Sequence, residues 1–252
     1  IDVEASTRQN VLVLNSPLFC VTTVAEYALM LMLSLAHHLP QAMHTAQTDG
    51  WYAREELQGI ELSQKTLGLI GCGRIGRTLG NMARGVGMHV VGFDPHLVKS
   101  DRSIPMLSLR QLLTVSDVVS VHAPLTPETL GMLGAEQLSW MKRGALILNV
   151  SRGGIIDERA LLCALESGVL GGAALDVLAE EPPQANHFLR KACHSQLILT
   201  PHMAWNTEES YLRNNAVFLK QIGCLAAGRL PEEGVVNPSI ADAWLARWST
   251  AN

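Results

Sequence analysis

The chain has 252 residues, room for one large domain or two small ones, and 48% apolar with 17% charged residues supports a substantial buried core. A formal net charge of −4 without a basic cluster argues against nucleic acid as a partner, and the longest apolar stretch, Tyr27 to Ala36, broken only by Ser34, is too short to span a bilayer. Five cysteines (Cys20, Cys72, Cys163, Cys193, Cys224) show no paired spacing and read as reduced thiols of a cytoplasmic protein, with neither a disulfide frame nor a metal site.

In chain order, Val11 to Leu14 reads as a short strand closed by Asn15, Ser16 and Pro17. Thr23 and Glu26 suggest a capping box for a helix running to His38 and stopped by Pro40. That helix is apolar nearly all round, which implies burial on more than one side. A homodimer contact is expected there, with a central helix of a monomer as the alternative. His44 to Ser63, with Trp51, reads as a polar connecting arm.

Thr66 to Ile70 is a strand, and Gly71, Cys72, Gly73, Arg74, Ile75 and Gly76 then spell G-x-G-x-x-G. Ile75, Leu79, Met82, Ala83 and Val86 follow at helical spacing, and the strand Val90 to Phe93 ends at Asp94. Glycine motifs alone also mark ordinary turns, but strand, glycine turn, helix, strand and acid in this order make a dinucleotide site. Gly71 permits the turn, Gly73 admits a pyrophosphate, and Gly76 lets helix and strand approach. Asp94, 18 residues beyond Gly76, suits a ribose 2′-hydroxyl and repels a 2′-phosphate, so NAD is favoured over NADP. The plainer reading of Asp94-Pro95 is a strand end, and Lys99 and Arg102 lie near enough to weaken the NAD preference.

Further elements alternate: helix Leu107–Leu113, strand Asp117–Val121, helix Leu138–Met141, strand Ala145–Val150, helix Glu158–Ser167 capped by Asp157, strands Gly172–Val177 and Leu197–Thr200, and helix Thr207–Ala227. This predicts an α/β fold with a doubly wound parallel sheet of Rossmann type. In such sheets ligands bind beyond the carboxyl ends of the strands. His122 and Pro124 stand at one end, Ser151 and Arg152 at the next, then Asp176 with Glu180 and Glu181, then His202. An arginine can grip a carboxylate through two parallel hydrogen bonds, and a histidine can exchange a hydroxyl proton as hydride moves. The set suits hydride transfer between NAD and a small 2-hydroxy acid.

The segments Val150-Ser151-Arg152-Gly153-Gly154-Ile155-Ile156-Asp157, Gly172-Ala173-Ala174-Leu175-Asp176-Val177, Thr200-Pro201-His202, His122-Ala123-Pro124-Leu125-Thr126 and Glu181-Pro182 resemble the D-isomer-specific 2-hydroxyacid dehydrogenase family, in order and from about Val11 to Pro238. The resemblance implies that Arg152 binds the substrate carboxylate, His202 is the acid/base, and Glu181, preceding a proline, is its partner. It implies that Asp176 meets the nicotinamide carboxamide and that Gly73, Arg74, Ile75 and Asp94 meet the diphosphate and ribose. Thr126, His122, Pro124, Val150 and Ser151 complete the expected cofactor surroundings, with His122 lining the pocket and doing no chemistry. Asp157 and Glu158 read as a helix cap. His37, His38, His44, His96, His187 and His194 read as surface or packing residues, and Trp205 is either packing or a pocket wall.

The family's substrate domain comes mostly from its N-terminal part. Residues 1–21 are therefore expected to be a remnant of it, 22–230 the dinucleotide-binding domain, and 231–252, with Trp244 and Trp248, a C-terminal return to an incomplete second domain. The expected function is an oxidoreductase acting between NAD(H) and a small D-2-hydroxy acid or 2-oxoacid, with glyoxylate or hydroxypyruvate as candidates. The alternatives are an NAD-binding corepressor-like protein and an inactive NAD-binding remnant.

Overall fold

Six apolar runs pair, all parallel, in the spatial order β2-β1-β3-β4-β5-β6: β1 (Thr66–Ile70), β2 (His89–Phe93), β3 (Val118–Val121), β4 (Ala145–Asn149), β5 (Leu170–Leu175) and β6 (Leu197–Leu199). The computed structural model describes residues 1–48, 55–97, 103–192 and 196–251. Trp51, Lys99, Arg102, Cys193, His194 and the side chain of Trp248 lie outside the described residues. The helices are α1 (Val3–Arg8), α2 (Val21–Ala36), α3 (Leu39–Ala46), α4 (Arg74–Gly85), α5 (Leu109–Val115), α6 (Ala135–Ser139), α7 (Glu158–Glu166), α8 (Phe188–Lys191), α9 (Glu208–Ala226) and α10 (Ala241–Ala251).

A parallel sheet covered on both faces must bury every side chain of its strands, whichever way it points. Here all of β3 and β4 is buried, including Val118, Val119, Ile147 and Leu148. Helices α4 and α5 pack on β1 and β2, and α6 and α7 pack together with α7 on β5. Each buried Leu, Ile or Val contributes roughly 1.5–3 kcal/mol. Strand order reverses at β1, whose neighbours are β2 and β3, so a crevice opens between the ends of β1 and β3.

The chain divides into two compact units, residues 22–204 and residues 1–21 with 205–252. In the second unit the expected strand Val11–Leu14 does not form; a lone antiparallel bridge joins Leu14 to Val235. The buried Asn237 side chain takes over the backbone there. Its Oδ1 accepts from the Val13 amide at 2.9 Å and its Nδ2 donates to the Val11 carbonyl at 3.0 Å. Trp205 packs edge-on against Phe19 and Tyr211, with centroids 6.4 and 5.2 Å apart. Within this unit it is a packing residue.

Three boundaries in the first unit depart from expectation. Helix α2 starts at Val21 and leaves Thr23 buried inside it, so the Thr23/Glu26 cap is not used. His38 (φ 50°) turns the chain at its end, and Pro40 opens α3 because a first-turn proline costs no hydrogen bond. Helix α6 starts near Gly134, earlier than the apolar residues Leu138 and Met141 suggest, and α5 is fixed by a Ser108/Gln111 capping box.

Candidate active site

The glycine turn leaves β1 and is pressed against the turn that follows β3. Gly71 has φ +91°, and a Cβ there would lie 2.6 Å from the Ala123 nitrogen. A Cβ on Gly76 would overlap the Gly71 carbonyl oxygen. Gly73, the N-cap of α4, has nothing within 4 Å of its Cβ position. Two glycines therefore serve the fold, and the third keeps open the space at the helix N-terminus, where backbone N–H groups attract a diphosphate. A cavity of about 270 Å³ lies there between Cys72, Gly73, Arg74, Arg77, Asp94 and His96. Asp94 spans the turn, accepting from the Cys72 amide at 2.9 Å and the His96 amide at 3.0 Å. The open Gly73 position, the helix end, two arginines and an acid at the end of β2 fit a dinucleotide with an unphosphorylated ribose.

His122 follows β3. Its Nε2 bonds Ser120 Oγ at 2.8 Å, its buried Nδ1 has no partner, and burial pushes its pKa down to about 4. The ring is thus neutral at pH 7. The Thr126 amide donates to Thr129 Oγ1 at 2.8 Å, and the same hydroxyl donates to the Pro124 carbonyl at 2.7 Å, which closes the loop 124–129.

Arg152 stands beyond β4, extended and exposed, with Nη1 donating to the Ser151 carbonyl at 2.7 Å. The turn that presents it is held by Asn149, which is 1% exposed. Asn149 Oδ1 accepts from the Ser151 amide and hydroxyl, at 3.0 and 2.9 Å, while its Nδ2 donates to the Arg152 carbonyl at 2.8 Å. Val150 is buried just before this turn.

Asp176 lies one residue past β5 and is also 1% exposed. Its carboxylate accepts from Thr200 Oγ1 at 2.6 Å and from the amides of Met203 and Ala204 at 3.0 and 2.8 Å. Its carbonyl accepts from the His202 amide at 2.8 Å. His202 is left-handed (φ 51°), a strained conformation that these bonds offset. Asp176 is thereby a clamp on the His202 turn, which the resemblance alone does not suggest.

Glu181 Oε2 meets His202 Nδ1 at 2.6 Å, while its Oε1 accepts from the Leu178 amide at 2.9 Å. Both side chains are partly exposed, at 34% and 42%. A cavity of about 530 Å³ is lined by Asp176, Glu181, Arg190, Thr200 and His202. The structure thus joins Glu181 to His202 and Asp94 to the glycine turn, with Arg152 on the neighbouring strand end. In the sequence Asn149 is marked only as the lone polar residue of an apolar strand. Thr200, in the sequence only a neighbour of His202, bonds the Asp176 carboxylate, and His96, read there as a surface or packing residue, lines the cavity at the glycine turn.

Residues 29–204 match the family model for the D-isomer specific 2-hydroxyacid dehydrogenase NAD binding domain. The chain is 39% identical over 244 residues to a D-3-phosphoglycerate dehydrogenase of Methanocaldococcus jannaschii, covering 95% of this chain and 46% of that one. It thus spans less than half the length of that relative. Among solved structures, the TT0316 protein from Thermus thermophilus superposes with TM-score 0.87 at 36% identity, covering 94% of this chain and 75% of the other. A D-lactate dehydrogenase from Aquifex aeolicus, complexed with NAD and lactic acid, superposes with TM-score 0.83 at 30% identity, covering 90% and 73%. The chain belongs to the D-isomer specific 2-hydroxyacid dehydrogenase family and carries its NAD binding domain.

Proposed function

We propose that the protein interconverts a small D-2-hydroxy acid and its 2-oxoacid, with Arg152, Glu181 and His202 as the working residues. The observation that carries this is the 2.6 Å contact between His202 Nδ1 and Glu181 Oε2, at the same sheet edge as the glycine turn. When bound, NAD supplies the hydride chemistry. Arg152 would take the substrate carboxylate in a bidentate grip and set which face of C2 is presented. With Nδ1 committed to Glu181, proton exchange falls to Nε2: it takes the hydroxyl proton during oxidation and returns it to the carbonyl oxygen during reduction. Glu181 fixes the ring's tautomer and offsets the charge it gains. Gly71, Gly73, Gly76, Arg74, Ile75 and Asp94 would hold the dinucleotide's phosphates and ribose. His122, Pro124, Thr126, Val150, Ser151 and Asp176 would border it.

Glyoxylate and hydroxypyruvate are the first substrates to test in reduction. D-3-phosphoglycerate, named in the Methanocaldococcus relative, is the first in oxidation. We also read the protein as a cytoplasmic homodimer. Met30 on α2 and Leu39 and Met43 on α3 are 45%, 46% and 56% exposed, an apolar face fit for a second copy. No helix among the described residues is long and apolar enough to cross a membrane.

The test is a panel of 2-oxoacids and 2-hydroxy acids with NAD(H) and NADP(H), run on wild type and Arg152→Ala. Turnover with at least one acid is expected. In the variant kcat/KM should fall by about 100-fold or more, as a bidentate charged contact is lost, with NADH affinity unchanged. Absence of turnover with every acid and both cofactors, or an Arg152→Ala variant as active as wild type, would refute the reading.

A further inference from the structure

Glu158 opens α7 beside Asp157, which caps the helix through the amides of Arg159 and Ala160. Glu158 has no part in that cap. Its Oε1 accepts from the Ala179 amide, 21 residues on, at 2.7 Å. Its Oε2 meets His187 Nε2 at 3.3 Å, and the two side chains are 10% and 11% exposed. The His187 ring stacks on Phe188 with centroids 4.8 Å apart, and its Nδ1 is buried without a partner. An orphaned lone pair costs less than an orphaned N–H, so the ring proton belongs on Nε2, donating to Glu158. This ionisable pair lies beneath a turn, residues 179–182, that is itself exposed.

From Ala179 the connections run directly to the reacting groups. Leu178 and Ala179 back onto Gly153, where any side chain would overlap their backbone. The Leu178 amide donates to Glu181 Oε1, whose other oxygen meets His202. An exposed turn with little apolar burial opens easily, and the Glu158 carboxylate ties it from below. A folding role alone accounts poorly for the arrangement, because buried ionisable pairs are often replaced by apolar residues without loss of stability. We propose that Glu158, with His187 as its counterpart, is a positioning residue: it holds the 178–181 turn so that Glu181 keeps one geometry against His202. The inference rests on reading Glu181 and His202 as the acid–base pair.

The experiment uses the 15N-labelled chain without substrate or cofactor, so a failure of the dehydrogenase reading leaves its outcome intact. Amide exchange at Leu178 and Ala179 and the His202 Nδ1–H proton resonance are recorded in wild type, Glu158→Ala and Glu158→Gln. In Glu158→Ala exchange at both amides should rise about tenfold or more, as bonds to a carboxylate are lost, and the His202 signal should broaden away. Glu158→Gln keeps an acceptor for Ala179 and, with the His187 proton moved to Nδ1 so that Nε2 accepts from the glutamine NH2, should bring exchange at both amides and the His202 signal back towards wild type. If Glu158→Ala exposes the Ala179 amide alone and leaves Leu178 and His202 as in wild type, the proposal is overturned. Should that variant fail to fold, His187→Asn must still speed exchange at Leu178; a wild-type rate there also overturns it.

Discussion

His122 gives the fold a measurable pH dependence. Its backbone lies against the glycine turn, since a Cβ on Gly71 would come within 2.7 Å of its carbonyl carbon. Burial holds the folded ring at a pKa of about 4, against 6.5 for an unperturbed histidine. The unfolded chain therefore takes up a proton that the folded chain refuses. Stability is unaffected above pH 6.5 and falls as pH drops from 6.5 towards 4. Between pH 7.5 and 5.0 the loss works out at about 2 kcal/mol for this one ring. Urea unfolding of wild type and His122→Gln at both pH values isolates it, because the glutamine amide reaches the position of Nε2 and can still bond Ser120 but does not titrate. Wild type should lose about 2 kcal/mol more than the variant over that interval. Asp117 does not interfere: burial raises its pKa, but the Thr66 amide and Lys142 outweigh that and hold it below the usual carboxylate value, so its contribution is lost at more acid pH. Equal losses in the two proteins would show that His122 is not held neutral, and the argument about its burial would fail.

Two further expectations concern binding and assembly. Gly73→Ala adds a methyl in open space and should fold with an unchanged melting temperature, yet weaken NADH about tenfold by titration. Gly76→Ala drives a methyl into the Gly71 carbonyl and should cost stability by about 1–3 kcal/mol; the reverse pattern would contradict the division of labour between these glycines. Met30→Glu with Met43→Glu should convert a dimer into a monomer by light scattering, and a mass that does not change would remove this face as the contact.

What the sequence made legible was whatever repeats locally. A fully buried parallel strand leaves an unbroken apolar run, and a glycine turn between such a run and a helix leaves its spacing, so β1, α4 and β2 were readable with Asp94 at their end. The expected strand that does not form has a distant cause. Val11–Leu14 has a strand's composition, but its Val13 amide and Val11 carbonyl are taken by the Asn237 side chain, more than 220 residues away, and its Val11 amide turns back to the Ser6 carbonyl. No window around residue 12 contains that partner. The same holds at the site. Their positions at strand ends single out Arg152, His202 and the pair Glu180 and Glu181 as candidates, and only the resemblance chooses Glu181. The groups that hold them in place act through side-chain to backbone bonds whose donors lie 2 to 28 residues off: Asn149 under Arg152, Asp176 under His202, Glu158 under Ala179. A carboxylate at a helix start is already explained by the helix, so Glu158 carried no surplus signal. Its second engagement becomes visible only once the fold brings the Ala179 amide within 2.7 Å of it. Positioning residues are thus systematically harder to read than reacting ones, because a reacting group is marked by its chemistry while a positioning group is marked only by the distance it spans.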